Sequence, residues 1–198
     1  MAIGTERERE REITITGIDG IWVPHQYLVI PQINFFPTDI SKNLKNETSE
    51  LWTLPKYDII ISLEVAEHIE QNLSDNFVKF ITSHSNYILF SAAIPGQTGD
   101  GHINEQWPSY WAEKFFYYGF ELFDFIRHKI WDDDKIPFWY RQNCFLGARK
   151  GLLQLPDSQR VTGKKFDIVH PKQFEFIYNN KEQQSVMAIL KTKILEKF

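Results

Sequence analysis

The stretch YDIIISLE, residues 57–64, restricts the fold more than any other. Ile59, Ile60, Ile61 and Leu63 follow one another with only Ser62 between them, so the polar alternation of a one-sided strand is missing. A run of this kind is expected to be covered on both faces, as in mostly parallel sheets flanked by helices. NYILFSAAI (86–94) repeats the pattern. Between the two runs, NLSDNFVKFITSH (72–84) carries Phe77, Phe80 and Ile81 at helical spacing, with Asn72 or Ser74 as the cap.

The remaining segments extend this strand–helix–strand unit. EITITGID (12–19) is rich in β-branched residues and ends at Asp19 between two glycines, and INFFPTD (33–39) ends at Asp39. After the second buried strand comes a Gly-rich loop, PGQTGDGHINEQW (95–107). Pro108 then opens a helix, PSYWAEKFFYYG, closed by Gly119. FELFDFIRHKIW (120–131) alternates, and FWYRQNCFLGAR (138–149) reads as a last strand, with DDDKIP as the turn of an antiparallel hairpin. The expectation is a three-layer α/β domain over residues 1–150, its sheet mostly parallel with an antiparallel edge strand. From Gly151 the pattern changes. GLLQLPDSQRVTGKK reads as a linker, and the rest of 151–198 ends in an amphipathic helix with Val186, Leu190 and Ile194 on one stripe.

Charge and cysteine usage narrow the classes. Lys and Arg number 22 against 26 Asp and Glu, a net charge of −4, so nothing draws the whole chain to nucleic acid or to an anionic membrane. Cys144 is the only cysteine, which excludes an intrachain disulfide and fits a reducing compartment. The start, MAIGTERERERE, is charged where a signal peptide would be apolar, and no apolar run approaches the ~18 residues of a membrane span. The expectation is a soluble, cytoplasmic protein, with RNA as a partner only weakly disfavoured, since a local basic patch can sit on an acidic protein.

Ligands of open α/β sheets lie beyond the carboxyl ends of the strands. Four such ends carry polar groups here: Asp19, Asp39, the cluster Glu64–Glu67–His68, and the loop after Ile94. A carboxylate on a Gly-flanked turn, such as Asp19, can accept from both hydroxyls of a ribose, and Asp39 can accept from an adenine amino group. The alternative for each is an ordinary turn former or cap. Glu64, Glu67 and His68 stand at i, i+3 and i+4 and would share one face of a helix. With His102 from the Gly-rich loop they form a mixed carboxylate–imidazole set that suits Mg²⁺, Mn²⁺, Fe²⁺ or Zn²⁺. A metal there would lower the pKa of an acceptor hydroxyl; without one, His68 or His102 would serve as general base. Trp107, Arg141 and Asn143 are candidates for the acceptor side of the same cleft.

The ordered run GID, FPTD, DIIISLEVAEHI and ILFSAAIPGQTGDGHINEQWPSYW resembles the class I S-adenosylmethionine-dependent methyltransferases. The likeness is to the subgroup whose fourth strand ends in E-V-x-E-H, and it covers roughly residues 13–149. It implies a Rossmann-like fold, with Asp19 on the cofactor ribose and Asp39 with Ile40 framing the adenine. Ser62, Leu63 and Glu64 would lie against the methionine part. Relatives with E-V-x-E-H resemble metal-holding O-methyltransferases, which implies Glu64, Glu67, His68 and His102 as ligands and a sugar or other small-molecule hydroxyl as acceptor. The family's first strand and its Gly-rich loop have no counterpart here: AIGT (2–5) is too close to the next strand, and ERERERE (6–12) reads as a solvated face. The expectation is therefore an N-terminally shortened domain with a gap in its sheet. A degenerate, non-catalytic interaction module is the competing reading. A nicotinamide-dependent dehydrogenase is weakened by the lack of G-x-G-x-x-G.

Overall fold

The computed structural model of the protein describes residues 13–179 apart from 25, 27, 31 and 32. The charged start, the segment AIGT and the stripe Val186–Leu190–Ile194 lie outside the described residues. Within them the order is β1 (Thr16–Asp19), β2 (Asn34–Pro37), α1 (Ile40–Leu44), β3 (Ile60–Leu63), α2 (Ser74–His84) and β4 (Tyr87–Ser91). There follow α3 (Pro108–Tyr117), β5 (Phe120–Phe123), α4 (Ile126–Ile130), α5 (Phe138–Asn143) and β6 (Phe145–Arg149). Residues 171–179 are helical as well.

One sheet has four strands in the order β3-β4-β6-β5, and β1 with β2 forms a separate parallel pair. β3 runs parallel to β4, with Ile60 opposite Ile88 and Ser62 opposite Phe90, while β6 is antiparallel to both β4 and β5. β3, β4 and β5 thus share a direction, and the chain is mixed α/β with a mostly parallel four-stranded sheet. The antiparallel strand was expected at the edge and lies inside, between β4 and β5. Gly147 makes room for it there: a Cβ on this residue would come within 3.2 Å of the Leu122 side chain and 3.4 Å of the Ile88 carbonyl oxygen.

Helices α2 and α3 build the core against the sheet. Phe77, Val78, Phe80 and Ile81 of α2 and Trp111, Ala112 and Phe115 of α3 pack with Ile88, Phe90, Phe120, Leu122 and Phe145. Phe90 is the hub, its ring 5.5 Å from Trp111 and 5.2 Å from Phe115. Each such side chain contributes about 1.5–3 kcal/mol on burial. β3 departs from the expected two-sided cover. It borders the sheet, and Ile59 and Ile61 are 48% and 63% exposed. A cleft of about 490 Å³, lined by Thr16, Asn34 and Phe36 on one side and Leu54, Pro55 and Tyr57 on the other, adjoins the β1–β2 pair.

Two segments read as strands are partly helical. In 120–131 the strand stops at Phe123, because Asp124 turns inward to hold Arg127 through Nε at 2.7 Å, and the backbone winds into α4. In 138–149, Pro137 stands at the N-cap of α5, and only Phe145–Arg149 is extended. Proline before a first helical turn outweighs the strand preference of Phe138, Trp139 and Tyr140. β5 and β6 do pair antiparallel, joined by this helical excursion and not by a tight hairpin.

The expected linker from Gly151 is packed onto the domain. Val161 and Phe166 join the core. Val161 N–H donates to the Leu122 carbonyl at 2.8 Å and Asp124 N–H to the Gln159 carbonyl at 2.7 Å. The Asp167 carboxylate accepts from Ser109 N–H at 2.9 Å and from the Ser109 hydroxyl at 2.6 Å, which caps the first turn of α3. Residues 159–167 of the segment read as a linker thus contact the domain through core side chains and hydrogen bonds.

Candidate metal centre

The chain leaves β3 through Glu64, whose backbone is left-handed at φ 53°. Few residues other than glycine adopt this conformation, and here two hydrogen bonds hold it: Glu64 N–H donates to the Ser91 carbonyl at 3.1 Å and to the Ser91 hydroxyl at 3.0 Å. The turn separates Glu64 from the short 3₁₀ helix Ala66–His68 that follows. The helical i, i+3, i+4 face expected for Glu64, Glu67 and His68 therefore does not form. Glu64 points elsewhere, accepting from the Gln97 side-chain amide at 2.8 Å and from the Asn143 amide at 3.1 Å.

Glu67 and His68 stay together, and the Gly-rich loop brings His102 to them. The Glu67 carbonyl accepts from the N–H groups of Ile103 and Asn104, both at 2.9 Å, and the Asn104 side chain donates to the Ser74 hydroxyl at 3.0 Å. This latch places the imidazoles edge to face, 4.9 Å between centroids. Glu67, His68 and His102 each offer one donor atom, and these three atoms lie within 4.8 Å of one another. Glu64 is not among them. The four-ligand set reduces to three.

Both imidazoles are tied by Nδ1. That of His68 lies 3.1 Å from the Gly101 carbonyl oxygen and that of His102 lies 2.9 Å from Glu105 Oε1. Each partner can only accept, so each Nδ1 carries the proton of its hydrogen bond. In a neutral ring this leaves the Nε2 lone pair free. His102 Nε2 is 3.9 Å from Glu67 Oε1. Gly99 lies against the same ring edge, where a Cβ would collide with Nε2, Cε1 and Cδ2.

Glu67 is fully buried, and neither carboxylate oxygen makes a hydrogen bond of standard geometry among the described residues, although the backbone amides of Glu67 and Ala93 lie close enough to act on it. Burial, with the neighbouring charge of Glu64 adding to it, pushes its pKa up to about 8. The amides of Glu67 itself and Ala93 act against this shift and Glu105 reinforces it. A buried carboxyl without a well-formed hydrogen bond is costly. A cation held by it and the two imidazoles would remove that cost, and the donor set of one carboxylate and two imidazoles suits Mn²⁺, Fe²⁺ or Zn²⁺ better than Mg²⁺, which favours oxygen.

The residues expected around a cofactor lie in two separate places. Asp19, at the end of β1, is exposed and accepts from Gly20 N–H at 2.7 Å. Asp39 is the N-cap of α1, its Oδ1 accepting from Lys42 N–H at 3.1 Å. Ile40 starts that helix and packs against the core. Ser62 is buried with its hydroxyl unpartnered, and Leu63 is half-buried. Asp19 ends β1 and Asp39 follows β2, while Ser62 and Leu63 belong to β3 of the other sheet and Glu64 follows it. The Glu64 carboxylate is occupied by the Gln97 and Asn143 side-chain amides.

Arg141, expected to face the cleft, donates instead to the Trp131 carbonyl at 3.2 Å and to Asp134 at 3.0 Å. Trp107 is the half-buried N-cap of α3. Asn143 does reach the region, through Glu64. Residue patterns gave no sign of Gln97, Gln142 and Gln173, which with Asn143 form a buried amide network. Asn143 donates to Gln97 Oε1 at 2.8 Å, Gln142 to Gln173 Oε1 at 3.3 Å, and Gln173 to the Gly96 carbonyl at 2.9 Å. Glutamines scattered over three segments carry no spacing signal. The Cys144 thiol is buried and pushed up to about 12 by that burial, which leaves no thiolate for nucleophilic chemistry at neutral pH.

No family model matches the chain, and no curated protein or solved structure matches it either. Among the described residues no helix is long and apolar enough to cross a membrane.

Proposed function

We propose that the protein is a divalent-metal-dependent O-methyltransferase that uses S-adenosylmethionine and acts on a small-molecule or sugar hydroxyl, within a Rossmann-like domain. The observation that carries the reading is the convergence of Glu67, His68 and His102, with the buried carboxyl of Glu67 among them. It lies just beyond the end of β3, where open α/β sheets bind ligands. The E-V-x-E-H turn and the ordered run of motifs around it support the same chemistry.

Glu67, His68 and His102 would hold the ion, which supplies positive charge that lowers the pKa of a bound hydroxyl. S-adenosylmethionine supplies an electrophilic methyl group on a cationic sulfonium. The chain's own part is positional. Asp19 would accept from the ribose hydroxyls and Asp39 from the adenine amino group. Glu67, relieved of its proton, turns a buried neutral group into an anionic ligand. The amide-held carboxylate of Glu64 adds negative charge close by, of the sign that favours a sulfonium.

A second reading, a methyltransferase-like domain without activity, draws on one observation: the residues for the two ends of the cofactor stand on separate sheets. Calorimetry separates the two. S-adenosylhomocysteine should bind, and Asp19→Ala should weaken it by about 1–3 kcal/mol, the range for a polar group left unmatched. Metal-dependent methyl transfer to sugars or other hydroxyl compounds should accompany it. Metal binding without any cofactor binding would sink the enzymatic reading and leave the interaction module.

A further inference from the structure

We propose that Glu105 is the positioning residue of this centre: it selects the tautomer of His102 and folds the loop that carries it. The proposal rests on the metal-centre reading above. The Glu105 side chain makes three contacts, all as acceptor. Oε2 accepts from Gly96 N–H at 2.7 Å, and Oε1 accepts from Thr98 N–H at 2.7 Å and from His102 Nδ1 at 2.9 Å. The first two hold a loop whose backbone is left-handed at Gly96, φ 83°, and at Thr98, φ 59°. Thr98 is β-branched, so this conformation is strained and persists only where its surroundings impose it. One carboxylate thus supplies both the restraint on the loop and the orientation of the ring.

The consequence for His102 is chemical. A carboxylate cannot donate, so the ring's proton resides on Nδ1 and the lone pair on Nε2 faces Glu67. Without Glu105 the ring is free to carry its proton on Nε2, the tautomer that free histidine side chains favour, and that proton would block the ligand position. His68 needs no such side chain because the Gly101 carbonyl performs the same task. Glu105 is not one of the three converging groups, and its hydrogen bond to them is the one to His102.

Two measurements on the full chain test this. Long-range ¹H–¹⁵N NMR of the metal-free protein, histidine-labelled, reads the tautomer directly. His102 should be protonated on Nδ1 in the wild type and in Glu105→Gln, whose amide oxygen can still accept, and should shift towards the Nε2-protonated form in Glu105→Ala. Titration with Co²⁺, followed by its visible absorption, should show affinity about tenfold to a hundredfold lower in Glu105→Ala, with Glu105→Gln recovering most of it. A wild-type His102 protonated on Nε2 would overturn the proposal, as would unchanged tautomer and Co²⁺ affinity in Glu105→Ala. If the wild type binds no Co²⁺ at all, the metal-centre reading fails, and the tautomer measurement alone decides what Glu105 does.

Discussion

His102 Nε2 lies 3.9 Å from Glu67 Oε1, too far for a hydrogen bond and within the span of two donors on a single ion, about twice a 2.0–2.2 Å bond. His102 comes from the loop after β4 and Glu67 from the turn after β3. They meet because the Glu67 carbonyl holds the loop through the Ile103 and Asn104 amides. The acid is thus fixed by its own backbone to the loop that delivers its imidazole partner.

The buried carboxyl makes metal-free stability depend on pH with a defined sign. Glu67 in the folded chain, near 8, lies above its ordinary 4.5, so the folded state keeps a proton that the unfolded chain releases. This contribution to stability is fully present below about pH 4.5 and is lost as pH rises through about 8. Thermal melts of metal-free protein from about pH 5 to pH 9 should fall for the wild type relative to Glu67→Gln, which stays neutral throughout. Parallel profiles would rule out a protonated buried Glu67.

Metal binding should respond to each of the three donors and to the space beside them. His68→Ala, His102→Ala and Glu67→Gln should each lower the affinity for Zn²⁺ or Co²⁺ at least tenfold, with melting temperature changed little by the histidine variants. Gly99→Ala should do the same by pushing the His102 ring off its position. Calorimetric titrations check all four, and wild-type affinity in Gly99→Ala would show that the ring does not act through Nε2.

Glu64 should act on the centre by charge and not as a ligand. Its negative charge is the second cause of the raised Glu67 value. Glu64→Gln keeps an acceptor for Asn143 and removes that charge, so the pH midpoint of metal binding should move down. A variant in which metal binding is abolished at every pH would return Glu64 to the ligand set.

The Asp167 cap predicts an effect far from the site. Asp167→Ala leaves Ser109 N–H at the start of α3 without its partner and should destabilise the protein by about 0.5–2 kcal/mol. Urea unfolding measures this, and a difference below ~0.3 kcal/mol would mean that water caps the helix equally well.

Local pattern alone determined a good part of this protein. Phe77, Phe80 and Ile81 at helical spacing announced α2; Pro108 and Gly119 bracketed α3; and the apolar residues of 57–64 and 86–94 marked β3 and β4. Glu67, His68 and His102 were legible as candidate ligands because residue types that bind metals are few. Glu64 was misassigned to their set because a helical face was assumed where one left-handed residue turns the chain, and that turn depends on Ser91 of the neighbouring strand. The place of β6 inside the sheet, the Asp167 cap on α3 and the amide network around Gln97 likewise join residues tens of positions apart. Such pairings leave no local periodicity. Packing selects them after the chain has collapsed, when each buried donor must find an acceptor within reach, and only the tertiary structure decides which one it finds.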